Sequence, residues 1–178
     1  MCWSLFANGG VRQMARTGRA DTIDKNGVKV NSILCMVSSM RFYTAETNVR
    51  YGETDKMGVA HHTSYLLWFE LGRTGLLRET GHSYRELEQG GLSLPVLECN
   101  VRFHIGAEYD DCVRIETAVS ELRSRSVTFV YRAVRGGQLL ATGWTRHVCV
   151  TPDNRLRRIP PDVLEAMAPY VVPSGDSF

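Results

Sequence analysis

Residues 65–81, "YLLWFELGRTGLLRETG", open on a run that is apolar on nearly every side of a helix. A helix without a polar face must be buried, and a sheet curling around it is the simplest cover. Thr63 or Ser64 is placed to cap its start, and Gly81 to end it. Gly72 and Gly75 lower helix propensity inside the run, which predicts close approach of backbone to the covering sheet. Trp68 and Phe69 read as core. Glu70 interrupts the apolar surface and needs a partner, which Arg73 or a subunit interface would supply.

The strands for such a cover are present. "MRFYTAETNVRY", residues 40–51, reads as a strand ahead of the helix. Beyond it, Leu97, Cys99, Val101, Phe103 and Ile105 alternate with Glu98, Asn100, Arg102 and His104, the period of a strand with one buried face. Three more follow at about 111–121, with Val113, Ile115, Thr117 and Val119 on one face, then 125–135 and 138–150. Gly136 and Gly137 mark a hairpin turn and "GAEYDD", 106–111, another connection, so the sheet is largely antiparallel. "SYRELEQGG" reads as a short helix and "PPDVLEAM", 160–167, as a last one opening on proline. The expected class is α+β.

A length of 178 residues with 43% hydrophobic content suits one domain with a real core. Residues 1–39 lack sustained periodicity and are expected to be a loosely ordered extension, with the domain over 40–170 and a tail over 171–178. That extension holds five basic and two acidic side chains, so the +2 formal charge belongs to it and the remainder is about −1. This argues against a nucleic-acid partner. Five cysteines without a Cys-x-x-Cys spacing fit a reducing compartment, and the expected location is the cytoplasm. "NSILCMVSS" is too short to span a bilayer and has no clear cleavage site, so neither a signal peptide nor a membrane span is expected.

Chemistry concentrates in "RYGETDKMGVAHHTSYLLWFELGR", residues 50–73, the loop from the first strand into the buried helix. Unpaired N–H groups at a helix start carry partial positive charge and can hold a carbonyl oxygen as it becomes an oxyanion. A carboxylate beside them can act as base or nucleophile. The spacing Tyr51-x3-Asp55-x2-Gly58-x3-His62-x2-Tyr65, with "LPVLECNVRFHIGAEYDDCVRIET" and "LLATGWTRHVCVTPDNRLRRIP" downstream, resembles the hotdog-fold acyl-CoA thioesterases of the 4-hydroxybenzoyl-CoA thioesterase type, in their YbgC-like branch. The resemblance covers about residues 40–168. It implies a long central helix wrapped by a five-stranded antiparallel sheet, protomers paired into homodimers or homotetramers, and an acyl-CoA or acyl-carrier-protein thioester as substrate, with no cofactor. It assigns the catalytic carboxylate to Asp55, as base or nucleophile, with Tyr51 and His62 lining the site. Gly58, Val59, Ala60 and Tyr65 fall in the same substrate-binding motif, and backbone N–H groups from Ala60 to His62 are the expected oxyanion donors.

Neighbouring groups have simpler readings. Glu53 is expected to be a solvated loop residue and His61 a surface or packing residue. His61, His62, His104 and His147 do not suggest a metal site, since zinc needs three or four convergent ligands and adjacent histidines normally diverge. Arg123 and Arg125, with the later Arg155, Arg157 and Arg158, are candidates for coenzyme A phosphates. Gly106 replaces a proline usual in the related branch, which is expected to loosen that connection without touching the site. No Gly-x-Ser-x-Gly elbow is present. Two other classes remain open: a non-catalytic module binding acyl thioesters or a protein partner, and a hydroxyacyl thioester dehydratase.

Overall fold

The computed structural model describes residues 41–172. The expected extension, 1–39, lies outside the described residues, as does the expected tail beyond Val172. Five strands, β1 (Tyr43–Asn48), β2 (Val96–Phe103), β3 (Cys112–Arg123), β4 (Ser126–Arg135) and β5 (Gln138–Val148), form one antiparallel sheet in the order β1-β3-β4-β5-β2. The helices are α1 (His62–Glu79), α2 (Tyr84–Gln89) and α3 (Pro161–Met167). This is the α+β hotdog architecture the sequence implied.

The core is the seam between α1 and the sheet. Trp68, Phe69, Leu76 and Leu77 meet Val113, Ile115, Phe129, Tyr131 and Leu140, all buried, and Phe69 stacks on Tyr131 with ring centroids 4.4 Å apart. Each such side chain contributes about 1.5–3 kcal/mol on leaving water. The helix glycines set the spacing of this seam. A Cβ on Gly72 would lie 2.3 Å from Thr117 Oγ1, and one on Gly75 would lie 2.4 Å from the Tyr43 ring. Only hydrogen fits at either position.

Inside the sheet runs a buried polar chain. The Leu94 carbonyl can only accept, so His147 carries its proton on Nδ1 and donates it there at 2.9 Å. Its bare Nε2 then accepts from the Thr145 hydroxyl at 2.8 Å, which accepts in turn from Tyr131 at 2.6 Å. Burial pushes the pKa of His147 down to about 4, against the opposing bond to Leu94.

Two expectations need correcting. α1 is not enclosed on all sides, because Leu67 and Leu71 are 55% and 39% exposed. Nor does β2 have a buried face: Leu97, Phe103 and Ile105, the expected inward row, are 57%, 50% and 40% exposed. The physical reason is position. β2 is an edge strand with β5 as its one neighbour, and alternation tells which side is apolar without telling what covers it. Among the described residues, no helix is long and apolar enough to cross a membrane.

Candidate active site

The chain leaves β1 at Asn48 and is held at once, since Val49 N–H donates to the Asp111 carbonyl (2.9 Å) and Asp110 N–H to the Val49 carbonyl (2.9 Å). A single 3-10 turn, Tyr51–Glu53, follows. Residues 54–60 then form a small hairpin in which Thr54 bridges Ala60 and Asp55 N–H donates to the Val59 carbonyl at 3.0 Å. Its tip is closed by Gly58 N–H on the Asp55 carbonyl at 3.0 Å, with Gly58 at φ 79°, a conformation that favours glycine. Val59 bridges Glu108, and Ala60 N–H donates to the Ala107 carbonyl at 2.7 Å, so the hairpin lies against the 105–111 connection. Gly106 permits that approach: a Cβ there would sit 2.8 Å from Val59 Cγ1. Gly106 therefore packs against the site loop, which corrects the expectation that the change at this position leaves the site untouched.

Asp55 stands on this hairpin at intermediate exposure. Its Oδ1 accepts the Met57 N–H at 2.8 Å, and Oδ2 has no partner among the described residues. One oxygen is thus held by the backbone and the other is presented. The hairpin runs directly into α1, whose N-cap is His61, not Thr63 or Ser64. His61 Nδ1 accepts from the Thr63 N–H (3.4 Å), and the His61 carbonyl takes the Ser64 N–H (2.9 Å). The helix begins three residues earlier than its apolar run because the imidazole does what a serine or threonine normally does. Of the expected oxyanion donors, the Ala60 N–H is committed to Ala107 and the His61 N–H to the Glu53 carbonyl at 2.7 Å. The His62 N–H, at the first helical position, is left with no acceptor inside the helix.

The structure brings Asp55, Gly58, Val59, Ala60 and His62 together. Tyr51 is 79% exposed at the rim and packs edge-on against Tyr109 at 5.7 Å. Tyr65 does not face this surface: it is buried, its hydroxyl accepts the Ala107 N–H at 3.2 Å, and its ring packs on Trp68. Arg123 and Arg125 lie elsewhere. β3 starts at Cys112, opposite Asn48 beside the site, and ends at Arg123, so its far end is roughly 36 Å away at 3.3 Å per residue. There Arg123 pairs with Glu121 at 2.5 Å, and Arg125 lines a cleft of about 490 Å³ with Gly90, Leu92, Leu156, Arg157 and Arg158. One chain does not unite these arginines with Asp55. Glu70 pairs with Arg73 at 3.2 Å. His61 and His62 do not diverge, since their ring centroids are 4.0 Å apart. Among the described residues, no group of three or more His, Cys, Asp and Glu side chains converges as metal ligands would.

Glu53 is the residue whose reading changes most. It is 7% exposed, and its carboxylate accepts the Arg50 N–H (2.8 Å), the Arg50 guanidinium (2.7 Å) and the Trp68 indole N–H (3.3 Å). Burial pushes its pKa up, but the bonds from Arg50 and Trp68 outweigh that and hold it below the usual carboxylate value. Arg50 and Glu53 stand in capping-box positions around the 3-10 turn, and that three-residue spacing was the available signal.

Residues 49–167 match the family model of the thioesterase-like superfamily. The chain belongs to this superfamily. This bears out the family resemblance carried by the motif around Asp55. Within the superfamily, the chain is 30% identical over 110 residues to the putative acyl-CoA thioesterase YneP of Bacillus subtilis, covering 61% of this chain and 80% of that protein. It is 32% identical over 105 residues to the acyl-CoA thioester hydrolase YbgC of Escherichia coli O6:H1, covering 58% and 78%. Among solved structures, the DHNA-CoA thioesterase of Staphylococcus aureus is 32% identical, with a TM-score of 0.69 over 71% of this chain and 89% of that one. The hypothetical protein TT1821 of Thermus thermophilus is 38% identical, also with a TM-score of 0.69, over 72% and 98%.

Proposed function

We propose that this protein is an acyl-CoA thioesterase in which Asp55 is the reacting carboxylate. The observation that carries the reading is the hairpin itself: it holds one Asp55 oxygen with the Met57 N–H, leaves the other unpartnered, and leads straight to the start of α1. Asp55 takes a proton from water as water adds to the thioester carbonyl, or adds to that carbonyl itself to give an anhydride that water then opens. In both routes the carbonyl oxygen gains negative charge, and the His62 N–H is the donor placed to receive it, aided by the α1 dipole. The thiol leaves readily because thiols are far stronger acids than alcohols, the cysteine side chain having a pKa of about 8.5, so few groups suffice.

The acting unit in this reading is a homodimer or a larger homo-oligomer. The open edge of β2, its exposed apolar row and the exposure of Leu67 and Leu71 on α1 support a second copy as the missing cover. The same reading gives the cleft of Arg125, Arg157 and Arg158 to phosphates of the carrier. Their distance from the chain's own Asp55 calls for a site assembled from more than one protomer. A cytoplasmic, reducing location suits the cysteine pattern.

The test is thiol release across short, long and aromatic acyl-CoAs. Asp55→Asn is expected to keep the fold and lose at least about a hundredfold in turnover, the scale of a general base. Near wild-type hydrolysis by that variant sinks the mechanism.

A further inference from the structure

We propose that Glu53 is a positioning residue for this reaction: its side chain and its carbonyl together tie the chain on both sides of the Asp55 hairpin, Arg50 before it and His61 after it, to α1. The proposal rests on the reading of Asp55 as the reacting group. Asp55 must meet the thioester carbon on one side while an oxyanion donor meets the oxygen on the other, so the distance between hairpin and helix start governs the rate.

Glu53 is where that distance is set. Before the hairpin, its carboxylate holds the main chain and guanidinium of Arg50. Toward the core, the same carboxylate reaches the Trp68 indole, in the second turn of α1 and 2% exposed. After the hairpin, the Glu53 carbonyl takes the N–H of the N-cap residue His61 at 2.7 Å and the hydroxyl of Ser64 at 3.2 Å. Glu53, two positions before Asp55, thus accepts five bonds from three directions. Three of them end on the carboxylate, which no hydroxyl or alkyl side chain replaces. A carboxylate taken out of water at this cost, with its bonds directed at the loop and the helix and not at substrate, acts on the reaction through Asp55.

Glu53→Gln tests this. The amide retains an acceptor but loses the ion pair and turns a donor toward Arg50. The expected result is a fall in kcat of roughly ten- to a hundredfold with KM within about twofold of wild type. In an Asp55→Asn background the same change is expected to cost nothing further, because residues acting through one group are not additive. A structural role alone would lower the Tm and the active fraction and would add its loss to that of Asp55→Asn. Arg50→Met is the second variant: Arg50 is exposed and its main-chain bond to Glu53 survives, so it is expected to fold and to lose about two- to fivefold in kcat. If Glu53→Gln does not fold, Arg50→Met decides. Full kcat in Glu53→Gln, or in Arg50→Met where it alone is measured, overturns the positioning role, as does a loss that adds to Asp55→Asn. A wild-type protein that releases no thiol from any acyl-CoA overturns the thioesterase reading and this proposal with it. An active wild type with an indifferent Glu53 overturns the proposal only.

Discussion

β3 and β2 lie in one sheet and alternate apolar residues in similar fashion. β3 has β1 and β4 on its flanks and α1 across its face, and Val113, Ile115, Thr117 and Val119 are essentially inaccessible. β2 has β5 alone, and most of its apolar row is open to solvent. Burial here follows a strand's place in the sheet, and the apolar row of an edge strand can stay open to solvent among the described residues.

Matched substitutions sharpen that contrast. The largest loss is expected for Ile115→Ala, about 2–5 kcal/mol by urea denaturation, since the cavity opens under α1 and cannot collapse. Acid should open the same interior. The pKa of His147 is lowered to about 4 in the fold, so the unfolded chain takes up the proton first, near its ordinary value of about 6.5. The stability due to a neutral His147 is complete above that value and drains away as pH falls toward 4, by about 3 kcal/mol in all. Urea midpoints measured from pH 8 to 4 check this, and His147→Gln is expected to flatten the slope. Gly72→Ala comes next, at about 1–3 kcal/mol, because its new methyl meets the buried Thr117 hydroxyl. Smallest is Leu97→Ala, within about 0.5 kcal/mol for the single chain. On the proposed oligomer, Leu97→Asp is by contrast expected to shift sedimentation toward monomer. A large loss from Leu97→Ala in a dilute, monomeric sample would contradict the solvent exposure of the β2 row.

The sequence made the fold legible because its strongest signals were periodic. An apolar run, four alternating stretches and two-glycine punctuation yield the helix, the antiparallel sheet and the order of the elements. What stayed hidden was set by partners far apart in sequence. Glu53 reads as a loop residue until Trp68, fifteen positions on, is seen to reach it. His61 is a poor N-cap by propensity, yet its imidazole accepts from Thr63. Tyr65 belongs to the motif spacing, but Ala107 draws its hydroxyl into the core. Arg123 and Arg125 are polar and suitably charged, and only the length of β3 removes them from the Asp55 end.

Met57 carries a consequence of its own. The main-chain N–H of Met57 steadies Asp55, while its side chain is 79% exposed and neighbouring Lys56 is exposed too. Any residue but proline offers that N–H. Positions 56 and 57 are therefore free to change what an incoming molecule touches while the carboxylate stays held in the same way. On the proposed role of Asp55, selection can retune preference at the rim without reopening the chemistry, and a library confined to these two positions tests that separation.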